Sequence, residues 1–259
     1  MQLRDRTVLL VGASGGIGEA LVEGFRTAGA RVVATCRNPS ALAPRQGVDT
    51  VALDLEASDL AVQLSQIHAA HPAIDLVVHC AGKNRFAELE HVDDETLDGM
   101  IDVNLRSAMV VARHFVRGFR SQRQGGFVFI GSTFGSIGYP GYTAYCATKF
   151  GLRGFSEALR RELADTGVTV LYIAPRATTT AMNSDAVTAL NRALHNRMDS
   201  PGQVADQVIR AIARDQRRRY LGWPETLFVY LNGILPRLVD LALGRQLPVI
   251  RRFLSGEGS

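Results

Sequence analysis

A doubly wound α/β domain with a parallel sheet of about seven strands is the fold this sequence predicts, and three observations carry that reading. Short apolar runs alternate with helical patterns from Thr7 to Gly222, the alternation that builds a parallel sheet with helices on both faces. The first run, Thr7-Val8-Leu9-Leu10-Val11, ends in Gly12-Ala13-Ser14-Gly15-Gly16-Ile17-Gly18, after which Ala20, Leu21, Phe25 and Ala28 recur at helical spacing. Composition agrees: 259 residues, 46% hydrophobic and 21% charged, are enough for one large core and exclude a disordered chain.

A strand, a glycine loop and a helix in succession suit a phosphate. The glycines permit a tight turn and close backbone approach, and the helix N-terminus meets the negative charge. Gly12, Ser14, Gly16, Ile17 and Gly18 are therefore candidate cofactor contacts. The second strand, Arg31 to Thr35, leads into Cys36-Arg37-Asn38. An Asp or Glu there would grip the ribose 2′-hydroxyl of NAD. Arg37 instead suits a 2′-phosphate, with no carboxylate to repel it, so NADP(H) is the expected cofactor.

Val51 to Leu55 predicts the third strand, with Asp54 and Leu55 at its end beside the adenine. The fourth is Ile74 to Val78, followed by His79-Cys80-Ala81-Gly82, where Ala81 and Gly82 let the backbone pass under a ribose. One long helix is expected from Asp94 to about Gln122, carrying Asn104, a residue type that can interrupt the helical ladder and expose a carbonyl to water. Phe127 to Ile130 and Val168 to Ile173 are the fifth and sixth strands, the latter closing with Ala174-Pro175. A polar, Thr-rich segment from Thr178 to Asn196 reads as a mobile flap. Ser200-Pro201 opens a helix with Ser as cap and Pro in the first turn, and Arg219 to Gly222 is the last strand. No linker, repeat or low-complexity stretch divides the chain, so residues 1–222 form one domain and residues 223–259 a helical extension.

The stretch with the most chemistry is Ser132 to Lys149. Tyr145 and Lys149 are four apart at the start of a helical pattern, which puts phenol and ammonium on one face. A free Tyr titrates near ~10. A positive charge about 4 Å away, at an effective dielectric of ~20, favours the phenolate by roughly 4 kcal/mol. That brings Tyr145 toward proton exchange with an alcohol or carbonyl oxygen, and Ser132, at a strand end, holds the same oxygen with a second hydrogen bond.

Together these residues resemble the short-chain dehydrogenase/reductase family over about residues 5 to 222. Gly12 to Gly18 look like its cofactor loop, with Val11 where Thr is frequent. Asn104, Ser132, Tyr145 and Lys149 fall in the order of its catalytic tetrad, and Gly135, Gly138 and Pro140 match the small residues between Ser and Tyr. The resemblance implies a Rossmann-like fold, a homo-oligomer (dimer or tetramer) and interconversion of a carbonyl and an alcohol with NADP(H). Tyr145 would be the general acid or base, Lys149 would lower its pKa and bind the nicotinamide ribose, Ser132 would polarise the carbonyl, and Asn104 would hold a water. Pro175, Thr178 and Thr180 would lie along the cofactor, Thr180 at its carboxamide or phosphate. Three places depart from the pattern: His79-Cys80 stands for Asn-Asn, Pro175-Arg176 for Pro-Gly, and polar Thr178 where an apolar residue is usual. Arg176 thus puts a bulky cation beside the nicotinamide region. A catalytically idle cofactor-binding module and an NAD-dependent alcohol oxidiser remain as alternatives.

Cys36, Cys80 and Cys146 are widely spaced with no CxxC, which fits a reduced compartment. The first six residues are too charged and too short for a signal peptide, so the expected location is cytoplasmic. His68 and His71, three apart without evident acidic partners, read as a solvated face, and no metal is expected. The net charge of +4 is mild and does not argue for nucleic acid, but it is uneven: Arg214 to Arg252 holds eight Arg against Asp215, Glu225 and Asp240. In the same region the uncharged run from Thr226 to Pro236 is far short of the ~20 apolar residues of a spanning helix. Apolar positions interleaved with Arg237, Arg245, Arg251 and Arg252 leave three roles open: a cover for a hydrophobic substrate's cleft, a subunit contact, or an interfacial helix on the inner face of an anionic membrane.

Overall fold

Runs that are apolar on both faces become buried parallel strands, and the amphipathic runs between them become the flanking helices. The computed structural model describes residues 1–255. Its first half runs β1 (Thr7–Val11), α1 (Gly16–Thr27), β2 (Arg31–Cys36), β3 (Val48–Ala52), α2 (Leu60–Ala70), β4 (Ile74–His79), α3 (Asp94–Ile101) and α4 (Ser107–Gln122). Then follow β5 (Gly126–Ile130), α5 (Thr143–Glu162), β6 (Thr169–Ala174), α6 (Asp185–Ala193), α7 (Pro201–Ala213), β7 (Arg218–Tyr220), α8 (Glu225–Ile234) and α9 (Pro236–Leu254). All seven strands pair in parallel in the order β3-β2-β1-β4-β5-β6-β7. The winding reverses between β1 and β4, and the crevice beyond their carboxyl ends is where such sheets hold ligands.

Alternation along β1 divides the core. Leu9 and Val11 face Leu64, Phe115 and Leu152 from α2, α4 and α5, whereas Val8 and Leu10 face Leu21, Phe25 and Val208 from α1 and α7. Helix starts follow the local chemistry. Asp93 caps α3 by accepting from the Thr96 N–H at 2.7 Å, and Ser200 with Gln203 closes a reciprocal capping box on α7.

Four expectations are corrected. The third strand is Val48–Ala52, not 51–55. As the sheet edge it tolerates Asp49 and Thr50, while Leu53 and Leu55 are buried in the loop beyond. The long helix is broken by a π turn at Asp102–Arg106, centred on Asn104. The polar flap contains α6, capped by the Ser184 hydroxyl accepting from Val187 N–H, and its bounds are tied down by a Thr178–Asp199 bridge. His68 and His71 are not simply solvated: His68 stacks on Phe115 at 5.0 Å and His71 Nδ1 lies 3.8 Å from Asp49. The extension is two helices broken at Leu235, and its last four residues, 256–259, lie outside the described ones.

Gly12 shows how tightly the crevice is built. Its φ is +89°, and a Cβ there would stand 2.6 Å from the Ala81 backbone. Gly12→Ala should therefore lower stability by roughly 1–3 kcal/mol in urea unfolding. Gly118→Ala, in α4 with nothing within 4 Å of the added carbon, should be neutral or stabilising.

Candidate active site

Ser132 follows β5 and caps a short helical turn, its Oγ accepting from Phe134 N–H at 3.1 Å while its carbonyl accepts from the Tyr172 hydroxyl at 3.3 Å. Tyr145 and Lys149 stand one turn apart near the start of α5, and Ser132 and Tyr145 face the same cavity. Lys149 is buried, its Nζ donating to Ile130 O at 3.4 Å and lying 5.7 Å from the Tyr145 ring centre. Asn104 completes the group from the π turn. Its Oδ1 accepts from Lys83 N–H at 2.7 Å, and its Nδ2 donates to Lys83 O at 2.8 Å and to Thr148 Oγ1 at 2.9 Å. The four tetrad residues predicted from sequence thus converge from β5, α5 and the α3–α4 junction.

Two cavities lie around this group. One, of about 220 Å³, lies over the carboxyl ends of β1, β2 and β3 and is lined by Gly12, Ser14, Arg37, Asp54, Leu55, Ala81 and Gly82. The other, of about 300 Å³, has Ser132 and Tyr145 in its wall with Ile17, Pro175, Thr178 and Thr180. Gly16 and Gly18 act through packing: a Cβ on Gly16 would sit 2.8 Å from Thr180 Cγ2, and one on Gly18 would run into the Gly12 carbonyl. Asn104 and Lys149 line neither cavity and sit beneath Gly82, where a Cβ would approach Asn104 Oδ1 to 3.4 Å and Lys149 Nζ to 3.5 Å.

Several participants were not legible beforehand. The second cavity's apolar wall comes from Phe134, Tyr139 and Tyr142, and from Phe228, Val239 and Leu243 of α8 and α9. Arg37 does meet a carboxylate, Glu56 at 3.7 Å, delivered by the loop after β3 rather than by β2. Glu56 is itself held by Lys83 Nζ at 2.6 Å. Arg176 is not a free cation: Asp199 at 2.6 Å and Glu225 at 3.3 Å neutralise it and draw it toward the start of α8. The signals for these were only Tyr139 and Tyr142 between Ser132 and Tyr145, and the apolar run of the extension.

The short chain dehydrogenase family profile matches residues 6–191. The chain belongs to the short-chain dehydrogenase family. This dehydrogenase is 34% identical over 181 residues to the 3-oxoacyl-[acyl-carrier-protein] reductase FabG of Escherichia coli K12, spanning 68% of its own chain and 74% of the relative. To the Vibrio harveyi protein of the same name it is 31% identical over 249 residues, 90% of this chain and 98% of that one. Among solved structures it resembles a short chain dehydrogenase from Burkholderia cenocepacia, crystallised with NADP, at a TM-score of 0.82 and 23% identity over 94% of this chain and 99% of that one. The last likeness is one of fold.

Electrostatics in the dehydrogenase depart from the simple one-turn argument. Shielding from water pushes Tyr145 up to about 12, against the downward pull of the Ser132 hydroxyl, and Lys149, 5.7 Å from the ring centre, does not reverse this. Burial pushes Lys149 itself down to about 8. At neutral pH Tyr145 is a protonated phenol, a donor rather than a base.

The His79 departure has a structural reason. Ser107 Oγ donates to Val103 O at 2.7 Å, bridging the widened ladder of the π turn, and so must accept from His79 Nε2–H at 2.7 Å. That puts a proton on His79 Nε2, and burial, which pushes its pKa down to about 3, keeps the ring neutral. Its folded-state pKa lies below the unfolded 6.5, so the unfolded chain binds the extra proton between those values. Stability should fall as the pH drops from about 6.5 toward 3, by up to about 1.4 kcal/mol per pH unit from this group. His79→Gln, whose Nε2 donates as the imidazole does, should flatten that part of a urea-unfolding pH profile. An unchanged profile would show that His79 does not carry it.

Proposed function

We propose that the dehydrogenase interconverts a hydrophobic ketone or aldehyde and its alcohol with NADP(H), running as a reductase with NADPH. One observation carries this reading: Ser132 and Tyr145 stand together in the wall of a largely apolar cavity, which shares Met182 with the glycine-lined crevice over β1.

The residues present fit a dinucleotide. Gly12 and Gly18 bring the loop after β1 close to the start of α1, leaving no room there for side chains, and the N-terminus of α1 would hold a pyrophosphate. Arg37 stands at the rim of the same crevice with its side chain 69% exposed, and would turn from Glu56, 3.7 Å away, to fork onto a 2′-phosphate. When bound, the nicotinamide supplies or accepts the hydride. Ser132 donates a hydrogen bond to the substrate oxygen, and Tyr145 delivers its proton there as negative charge develops; a tyrosine above neutral pKa is in the right state for this. Lys149 lies buried beneath Gly82, which lines the crevice, so its ammonium would meet the ribose from that side. To Asn104 we assign positioning, because its amide is committed to Lys83 and Thr148.

The substrate reading rests on the cavity wall. About 300 Å³ bounded by Phe134, Tyr139, Val187, Leu190, Val239 and Leu243 suits an acyl or other lipid-like chain better than a polar carbonyl compound. The relatives named as 3-oxoacyl-[acyl-carrier-protein] reductases support a 3-oxo group on such a chain. Assembly as a dimer or tetramer and a peripheral contact with a membrane belong to the same reading.

Tyr145→Phe should cut turnover by roughly 10²–10⁴-fold while NADPH still binds, as followed by its fluorescence. Near-parental rates would end this mechanism. Arg37→Ala should weaken NADPH by roughly tenfold to a hundredfold and leave NADH nearly unchanged. Equal losses for both cofactors would remove Arg37 from phosphate recognition.

A further inference from the structure

The last two helices have two working faces. The inner one closes the cavity: Phe228, Val239, Leu243 and Gln246 line it, and Asn232 Nδ2 anchors α8 by donating to Ser136 O at 2.9 Å. The outer one is apolar and open. Of the thirteen large hydrophobic residues exposed among the described residues, eight lie between Trp223 and Leu241. On α8, Leu227, Tyr230 and Ile234 follow at helical spacing, and on α9 Leu238 and Leu241 continue the stripe, with Ile234 76% and Leu241 64% exposed. Every residue from Gly233 to Leu238 is exposed, so the corner between the helices is a projecting apolar tip.

Charge identifies what covers it. Arg237, Arg245, Arg251 and Arg252 are all exposed along α9, and none is in an ion pair among the described residues. Of the acids on the two helices, Glu225 is turned to Arg176 and only Asp240 is left facing solvent. A second copy meeting this face across a two-fold axis would bring arginines against arginines. A surface with an apolar interior and anionic headgroups answers both features at once. Among the described residues no helix is long and apolar enough to cross a membrane, so the contact is one of lying on the surface.

We infer that the α8–α9 corner docks on an anionic lipid bilayer, so that the cavity under the same two helices takes its substrate from the lipid phase. The delivery half rests on that cavity being the carbonyl site; the docking half does not. An apolar tip set in the acyl boundary places the inner helix faces one helix diameter from the lipid. A ketone dissolved there reaches Ser132 and Tyr145 without crossing bulk water.

The test is flotation of the full chain with phosphatidylglycerol–phosphatidylcholine vesicles and with phosphatidylcholine alone, alongside NADPH turnover of a short water-soluble ketone and of a long-chain 3-oxo ester dissolved in the vesicles. The intact protein should float with the anionic vesicles. Ile234→Ser with Leu238→Ser, both outside the cavity, should weaken partition by at least about tenfold. Arg237→Gln with Arg245→Gln should weaken it roughly tenfold and abolish the preference for anionic lipid. Both double variants should leave the short ketone's turnover unchanged while slowing the vesicle-borne ester. Failure of the intact protein to float, with the short ketone still turned over, would overturn docking and spare the reductase reading. Flotation without turnover of either ketone would support docking and overturn delivery together with that reading. A subunit assembly that falls apart in the Ile234→Ser, Leu238→Ser protein, without flotation of the parent, would make this face a contact between copies and overturn the inference.

Discussion

The site depends on one buried carboxamide. Asn104 spends its amide on both backbone groups of Lys83 and on Thr148 Oγ1, joining the loop after β4, the π turn and α5. Thr148 in turn donates to the carbonyl of Tyr145 at 2.8 Å, so the clamp bears directly on the helix turn that carries the phenol and the ammonium. Every donor and acceptor of the amide is matched, and removing it would leave buried backbone groups of Lys83 unpaired, the costly kind of loss. A regular helix would not present Asn104 in this way. The π turn displaces one residue's worth of ladder toward the site, and His79 with Ser107 satisfies the carbonyl that the widened turn would otherwise orphan.

A second network sets the far wall. Arg176, where small residues are usual, bonds Asp199 and Glu225 and donates to the Trp223 carbonyl at 3.4 Å. It thereby links the end of β6, the segment before α7 and the first turn of α8. Removing Arg176 would strand two partly buried carboxylates, which makes the extension part of the site's construction rather than an appendage. Asn232 on Ser136 and α9 on α6 complete the enclosure.

Burial sets the protonation of the reacting groups. Enclosure removes water from Tyr145 and Lys149 alike, and it moves them in opposite directions, the phenol toward keeping its proton and the ammonium toward releasing one. Helical spacing alone would have made Lys149 an activator of Tyr145. Burial dominates that pair, and the Ser132 hydroxyl, not the lysine, is the protein group that draws Tyr145 back down.

The sequence by itself determined the winding of the sheet, the glycine turn after the first strand and the one-turn spacing of Tyr145 and Lys149. These rest on local rules: β1 passes into Gly12 and Gly18 without a gap, Tyr145 and Lys149 are one helical turn apart, and apolar runs alternate with amphipathic ones. Such rules act over a few residues and can be read along the chain. Tertiary structure alone decided that Asn104 sits in a π turn, that Glu56 faces Arg37, that Arg176 is neutralised, and that α8 and α9 roof the substrate cavity while turning an apolar face outward. Each joins residues tens of positions apart, and two of them reverse an expectation of charge. Electrostatic and desolvation energies depend on distance and enclosure in space, which only the folded chain defines.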